Sequence, residues 1–338
     1  MDMVSEKIQI RKMLENPKVR KYVLKNLGPS LFSIGYSESL VNDLLKSIEN
    51  LEFENFQKKH KKELEKVRII DFFQKTVPPY FRKQVIPHIP KSKTILDLGC
   101  GTGIMAHLLE KSGKFEEILG IEINEYPEWK NFKSDKVKLK VVKENAFENF
   151  LRKTKPDTIV LTWVLHHMTL EEQERYLKKI YSLLDKVTIV ALEDSFSTEL
   201  KPEEDRGVFD SFKNLSLEEK YSIMSILDWL ANRIIGLKED MPIPFAYRTL
   251  ESWQKLCERI GFRVIEKRYI GFPENRDIDT PQSLIVVKNN YFFFPHQIAP
   301  KKIPDKRSHC HAVEFVGVKR IATKDKAEIA PKIPFSTI

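Results

Sequence analysis

Asp97 stands two residues before the first of three glycines at alternate positions, Gly99, Gly101 and Gly103, in the stretch Thr94–Gly103 (TILDLGCGTG). Such a spacing lets the backbone turn sharply and lets a ligand approach the main chain, with a helix N-terminus directed at it. Glu122 follows a short apolar run and has the chemistry to accept hydrogen bonds from both hydroxyls of a ribose. Further along come the adjacent imidazoles of His166 and His167, either of them a candidate general base because imidazole titrates nearest neutrality. Asp194, with Glu193 beside it, offers a second place for substrate or a proton. Asp228, Asn232 and Arg233 share one helical stretch with Trp229, and Trp163 and Tyr247 add rings near the same groups.

The glycine turn excludes two familiar nucleotide sites. A dinucleotide turn is spaced G-x-G-x-x-G, and a phosphate-cradling loop continues into Gly-Lys-Ser/Thr. Neither is present, and a carboxylate at the strand end would repel a pyrophosphate while suiting a ligand that carries an ammonium group. The segment D-L-G-C-G-T-G instead resembles the first motif of the class I S-adenosylmethionine-dependent methyltransferases. The LHHM sequence, Leu165–Met168, is similar to the corresponding loop of their small-molecule type. The run from Asp228 through Tyr247 to Trp253 resembles a subgroup with a helical cap after the fifth strand.

The resemblance implies S-adenosyl-L-methionine as cofactor, held by Asp97, Gly99, Gly101, Gly103, Glu122, Asn145, Ala146 and Thr162. Asn145-Ala146 occupies the place where that family usually has Asp-Ala facing the adenine amino group. For the acceptor, the expected contacts are Trp163, Asp228, Trp229, Asn232, Arg233 and Tyr247, with catalysis by His166, His167 or Asp194.

Positioning these groups requires strands that end where they lie. From Ser92 onward apolar strands alternate with helices, which predicts an α/β fold with a parallel sheet covered on both faces. The resemblance makes it Rossmann-like and seven-stranded, with the last strand antiparallel. Strands are expected at 95–98, 116–123, 136–142, 157–161, 187–192, 262–270 and 283–287, the third near an edge because charged and apolar residues alternate in it. Thr169-Leu170-Glu171-Glu172 is a capping box opening a helix, Thr249 caps another, and Gly261 stops it. Residues 1–91 read as a helical N-terminal region, punctuated at Asn16-Pro17 and Gly28-Pro29. Val77-Pro78-Pro79-Tyr80 reads as a linker into a methyltransferase domain at 92–288, with a cap inserted at about 196–248. Residues 289–338 form a C-terminal extension of unassigned role.

Composition narrows the partners. The 338 residues carry a net charge of +9, but glutamates interrupt the lysine-rich stretches, so a small-molecule or lipid-like acceptor is expected ahead of a tRNA or rRNA one. Three scattered cysteines make no disulfide framework, and the N-terminus has no signal-peptide core, which together predict a cytoplasmic protein. His309-Cys310-His311 lacks the second ligand pair of a structural zinc site, and no metal is expected.

Overall fold

The computed structural model describes residues 3–202, 206–273 and 280–289, save the side chain of Ile70. Most of the extension predicted from residue 289, with His309, Cys310 and His311, lies outside these residues. Five helices come first: α1 (Met3–Leu14), α2 (Pro17–Ile34), α3 (Glu38–Asn50), α4 (Glu54–Lys66) and α5 (Ile69–Gln84). Then β1 (Thr94–Leu98), α6 (Ile104–Ser112), β2 (Glu117–Glu122), β3 (Val137–Val141), α7 (Glu144–Thr154), β4 (Thr158–Thr162), α8 (Leu170–Leu183) and β5 (Thr188–Asp194) alternate. Helices α9 (Arg206–Lys213) and α10 (Leu217–Trp229) form the insertion, followed by α11 (Leu250–Ile260), β6 (Arg263–Gly271) and β7 (Gln282–Lys288).

The sheet has seven strands in the order β3-β2-β1-β4-β5-β7-β6, with β7 antiparallel to both neighbours. Alternation along β1 divides the core. Ile95 packs with Met105 and Leu109 of α6, whereas Leu96 and Leu98 join Phe147, Leu151, Leu177 and Ile180 of α7 and α8 on the other face. The strand order reverses direction between β1 and β4, so a crevice opens at their carboxyl ends, where open α/β sheets bind ligands. The predicted helix signals are present: Thr169 and Glu172 make both hydrogen bonds of the capping box, and Gly261 takes φ 115°.

Two expected breaks are absent. Helix α2 runs through Gly28-Pro29 to Ile34, and Pro78-Pro79 lies inside α5. Proline removes an intrahelical donor, but each helix keeps its apolar face. Val77, Phe81 and Val85 pack in the same cluster as Ile95, Met105 and Val160, so α5 covers the sheet and is not a linker.

The N-terminal helices and the insertion share a separate core. Leu14, Leu31, Leu40, Leu44 and Ile48 pack with Phe212, Ile223, Ile226 and Leu230. Helix α10 is apolar nearly all round from Ile223 to Trp229, the pattern of a central helix. It passes into a π-helical turn, Leu230–Ile235, within the helical stretch expected to carry Asp228, Asn232 and Arg233. Trp229 is 1% exposed and meets Phe53 edge-on at 5.1 Å. Arg233 makes a bidentate pair with Glu6 of α1, both bonds 2.8 Å, which ties the first helix to the cap. Among the described residues, no helix is long and apolar enough to cross a membrane.

Trp229→Ala is expected to remove about 3–5 kcal/mol of stability, the range for truncating a buried aromatic. Urea unfolding measures this, and a loss below about 1 kcal/mol would contradict the central packing role.

Candidate active site

At the end of β1 the chain turns through three glycines with positive φ: 75° at Gly99, 48° at Gly101 and 89° at Gly103. The turn is pinned to β2, because Gly99 N–H and Cys100 N–H both donate to Ile121 O. A Cβ on Gly99 would lie 2.5 Å from Val164 Cγ2, so that glycine permits a close approach of the loop after β4. A Cβ on Gly101 would meet nothing within 4 Å, so the main chain there faces open space.

Two carboxylates line this cradle. Glu122 accepts from Gly101 N–H at 3.2 Å and from Ile123 N–H at 2.8 Å, and is half-buried. Asp97 is completely buried, and neither of its oxygens makes a hydrogen bond of ordinary geometry. Burial, with Glu122 adding repulsion, pushes its pKa up to about 8, against a weaker downward pull from the Ala106 amide at the start of α6. Trp129 closes the other side by donating its indole N–H to Gly101 O at 2.8 Å. Trp129 lies outside the motifs that mark the site in the sequence; its signal is the aromatic pair Tyr126 and Trp129 just after a strand-end acid. Asn145 and Ala146 are exposed in the first turn of α7, beyond the end of β3.

The exit of β4 is held by a carboxylate of another kind. Glu193 accepts from the backbone N–H groups of Val164 and Leu165 with one oxygen, and from His166 N–H and His166 Nδ1 with the other, at 2.8–3.3 Å. With those bonds made, Glu193 is a scaffold for the turn rather than a free acid. Thr162 ends β4 half-buried. Trp163 then takes φ 57°, strained for a bulky residue. It stacks on Tyr80 at 6.3 Å, tilts against Phe81 at 4.9 Å, and donates to Gln282 Oε1. Its ring thus faces α5, away from the insertion. Gln282 in turn donates to Asp194, linking the three.

Protonation separates the candidate bases. Burial disfavours a charge on His166, but the Glu193 hydrogen bond and the Asp194 and Asp228 carboxylates outweigh it and raise its pKa to about 9. His166 therefore already holds a proton near neutrality. Burial raises Asp194, partly offset by His166. Burial and then the neighbouring His166 drive His167 well below the usual imidazole value, so it stays neutral. His167 Nδ1 donates to Pro242 O at 3.0 Å, which leaves Nε2 with its lone pair.

From the cap, Asp228 reaches the same place. Asn232 donates to its Oδ1 at 2.6 Å and Tyr247 to its Oδ2 at 2.7 Å, while the Tyr247 ring stacks on His166 at 5.8 Å. Trp229 and Arg233 are not part of this group: the first packs in the core and the second is occupied by Glu6, with further bonds to Lys238 O and Met241 O. Expecting both to hold substrate assumed that neighbours on one helix face one way, which a buried helix does not require. Lys238, unremarked in the sequence, lies within electrostatic reach of both Asp228 and Glu122.

Residues 67–267 match the model of a family described as a methyltransferase domain. The chain belongs to that family. Among solved structures, it is similar to a SAM-dependent methyltransferase from Archaeoglobus fulgidus, at 17% identity over 64% of this chain and 94% of that one, TM-score 0.42. It is likewise similar to human N-acetylserotonin methyltransferase (16%, 70% and 59%, 0.42) and to the 1,6-didemethyltoxoflavin-N1-methyltransferase of Burkholderia thailandensis (13%, 64% and 78%, 0.40). The residues of this site fit S-adenosyl-L-methionine: an orphaned buried carboxylate at Asp97 suits a cationic amine, Glu122 suits a ribose, and the bare glycine backbone at Gly101 admits a ligand.

Gly101→Val should abolish binding of S-adenosylhomocysteine by filling the cradle and straining φ. Glu122→Ala should weaken it by about 1–3 kcal/mol, the range for bonds to a charged group. Calorimetry giving wild-type affinity in either variant would move the cofactor elsewhere.

Proposed function

We propose that the methyltransferase acts on a small-molecule acceptor enclosed between the carboxyl edge of the sheet and a cap built from the N-terminal helices and residues 196–248. The observation that supports this reading is the contact of the cap with the loop after β4: Tyr247 donates to Asp228 at 2.7 Å and its ring stacks on His166 at 5.8 Å. When bound, S-adenosylmethionine supplies a methyl group already activated by its sulfonium. The protein's task is then to align an acceptor atom and deal with its proton.

In this reading Asp97 holds the ammonium, Glu122 the ribose hydroxyls, and Asn145 with Ala146 the adenine edge. Glu193 fixes the turn that carries both imidazoles. The acceptor's reacting atom lies between His167 and Asp228, with Tyr247 orienting it and Asp194 behind His166. The cap and α5 exclude water from the crevice, which strengthens each of these electrostatic contacts.

The lysine-rich helix α4 favours a solvated face over a phosphate-binding one, since Lys59 pairs with Asp43 at 2.5 Å and Lys61 with Glu65 at 3.8 Å. Cell extract incubated with protein and methyl-labelled cofactor, then fractionated, should carry its label in the small-molecule fraction. Label in RNA, with transfer falling by about 10³-fold or more between 50 and 200 mM salt, would overturn the reading. His167→Asn should lower transfer roughly 100-fold with S-adenosylhomocysteine affinity unchanged. An unaltered rate would remove His167 from the acceptor site.

A further inference from the structure

Each imidazole after β4 is fixed through Nδ1, and the cap carboxylate through both of its oxygens. His166 Nδ1 donates to Glu193 at 2.8 Å and His167 Nδ1 donates to Pro242 O at 3.0 Å, which leaves Nε2 of both rings without a protein partner among the described residues, the one on His166 having a proton to give up when a cation binds. Asp228 is held by Asn232 on one oxygen and Tyr247 on the other, and each carboxylate oxygen keeps a further lone pair. One donor atom from each of His166, His167 and Asp228 lies within 4.8 Å of the other two.

This arrangement has the second layer of a metal centre. Metal-binding histidines usually donate their other N–H to a carboxylate or a carbonyl, and ligating carboxylates are themselves hydrogen-bonded. Here all three residues satisfy that description, with Glu193, Pro242, Asn232 and Tyr247 as the outer partners. We propose that His166, His167 and Asp228 form a binding site for one divalent transition-metal cation of the zinc class. Two imidazoles and a carboxylate suit such an ion better than calcium or magnesium, which prefer oxygen. Three protein ligands leave a coordination position open, as at catalytic zinc sites, and a donor atom of the acceptor can fill it. The use of the ion in methyl transfer rests on the acceptor site proposed above; its binding does not.

The spacing is invisible in the sequence because two ligands are adjacent and the third lies in the inserted cap. The test uses the full chain, stripped with a chelator and then titrated with Zn²⁺ by calorimetry and with Co²⁺ by visible absorption. One equivalent should bind. His167→Gln and Asp228→Asn should each weaken binding at least tenfold, and Tyr247→Phe, which touches only the outer layer, about 10- to 100-fold. A triple variant, His309→Ser with Cys310→Ser and His311→Ser, should bind as the wild type does. Absence of stoichiometric binding, or its loss in the triple variant alone, would overturn the proposal. S-adenosylhomocysteine titrated into each variant separates this failure from failure of the fold or of the methyltransferase reading.

Discussion

A fully buried carboxylate with no hydrogen bond of ordinary geometry is the constraint around which this fold is arranged. Asp97 sits in the middle strand of the parallel sheet, between β2 and β4, where the neighbouring backbone groups already pair with one another across the ladder. Leaving such a group unpaired costs several kcal/mol if it is ionised, and it responds by holding a proton. The glycine turn above it, the start of α6 and Glu122 on the next strand all converge on the same point. A cationic ligand placed there relieves the burial penalty, and in the proposed reading that ligand is the cofactor's ammonium group.

Glu193 shows the opposite solution at the end of β5. It is equally buried, yet its oxygens accept from Val164, Leu165 and His166 main-chain N–H groups and from the His166 ring. That set of bonds dictates the path of the chain leaving β4, from the strained Trp163 to the two imidazoles. A carboxylate with its bonds made is scaffold, whereas one without them awaits a ligand. The same distinction removes Arg233, already saturated by Glu6, and retains His167, whose Nε2 keeps its lone pair.

How much of this could be read from the chain depended on the range of the interaction. Local signals served well: the Thr169 box, the Gly261 stop, the alternating third strand and the glycine spacing are set by residues a few positions apart. Pro78-Pro79 misled because tertiary packing of Val77 and Phe81 against the sheet overrode the lost helical donors. Arg233 misled because its partner lies 227 positions away. Lys238 and Trp129 carried no spacing to notice; their roles come from the folded neighbourhood. Residues 290–338, with the His-Cys-His cluster, lie outside what the structure describes.

The central claim is that Asp97 receives the cofactor's ammonium group. With a pKa near 8 in the free protein, Asp97 is protonated at pH 7, and a cation beside it must drive that proton off. Because binding favours the ionised form, affinity should rise with pH toward 8. Titration of S-adenosylmethionine at pH 7 in buffers of different ionisation enthalpy counts the protons directly. The account predicts release of about 0.9 proton per cofactor bound, as a pKa near 8 requires, and none in Asp97→Asn. Heats independent of buffer in the wild-type protein, or the same release in Asp97→Asn, would contradict it.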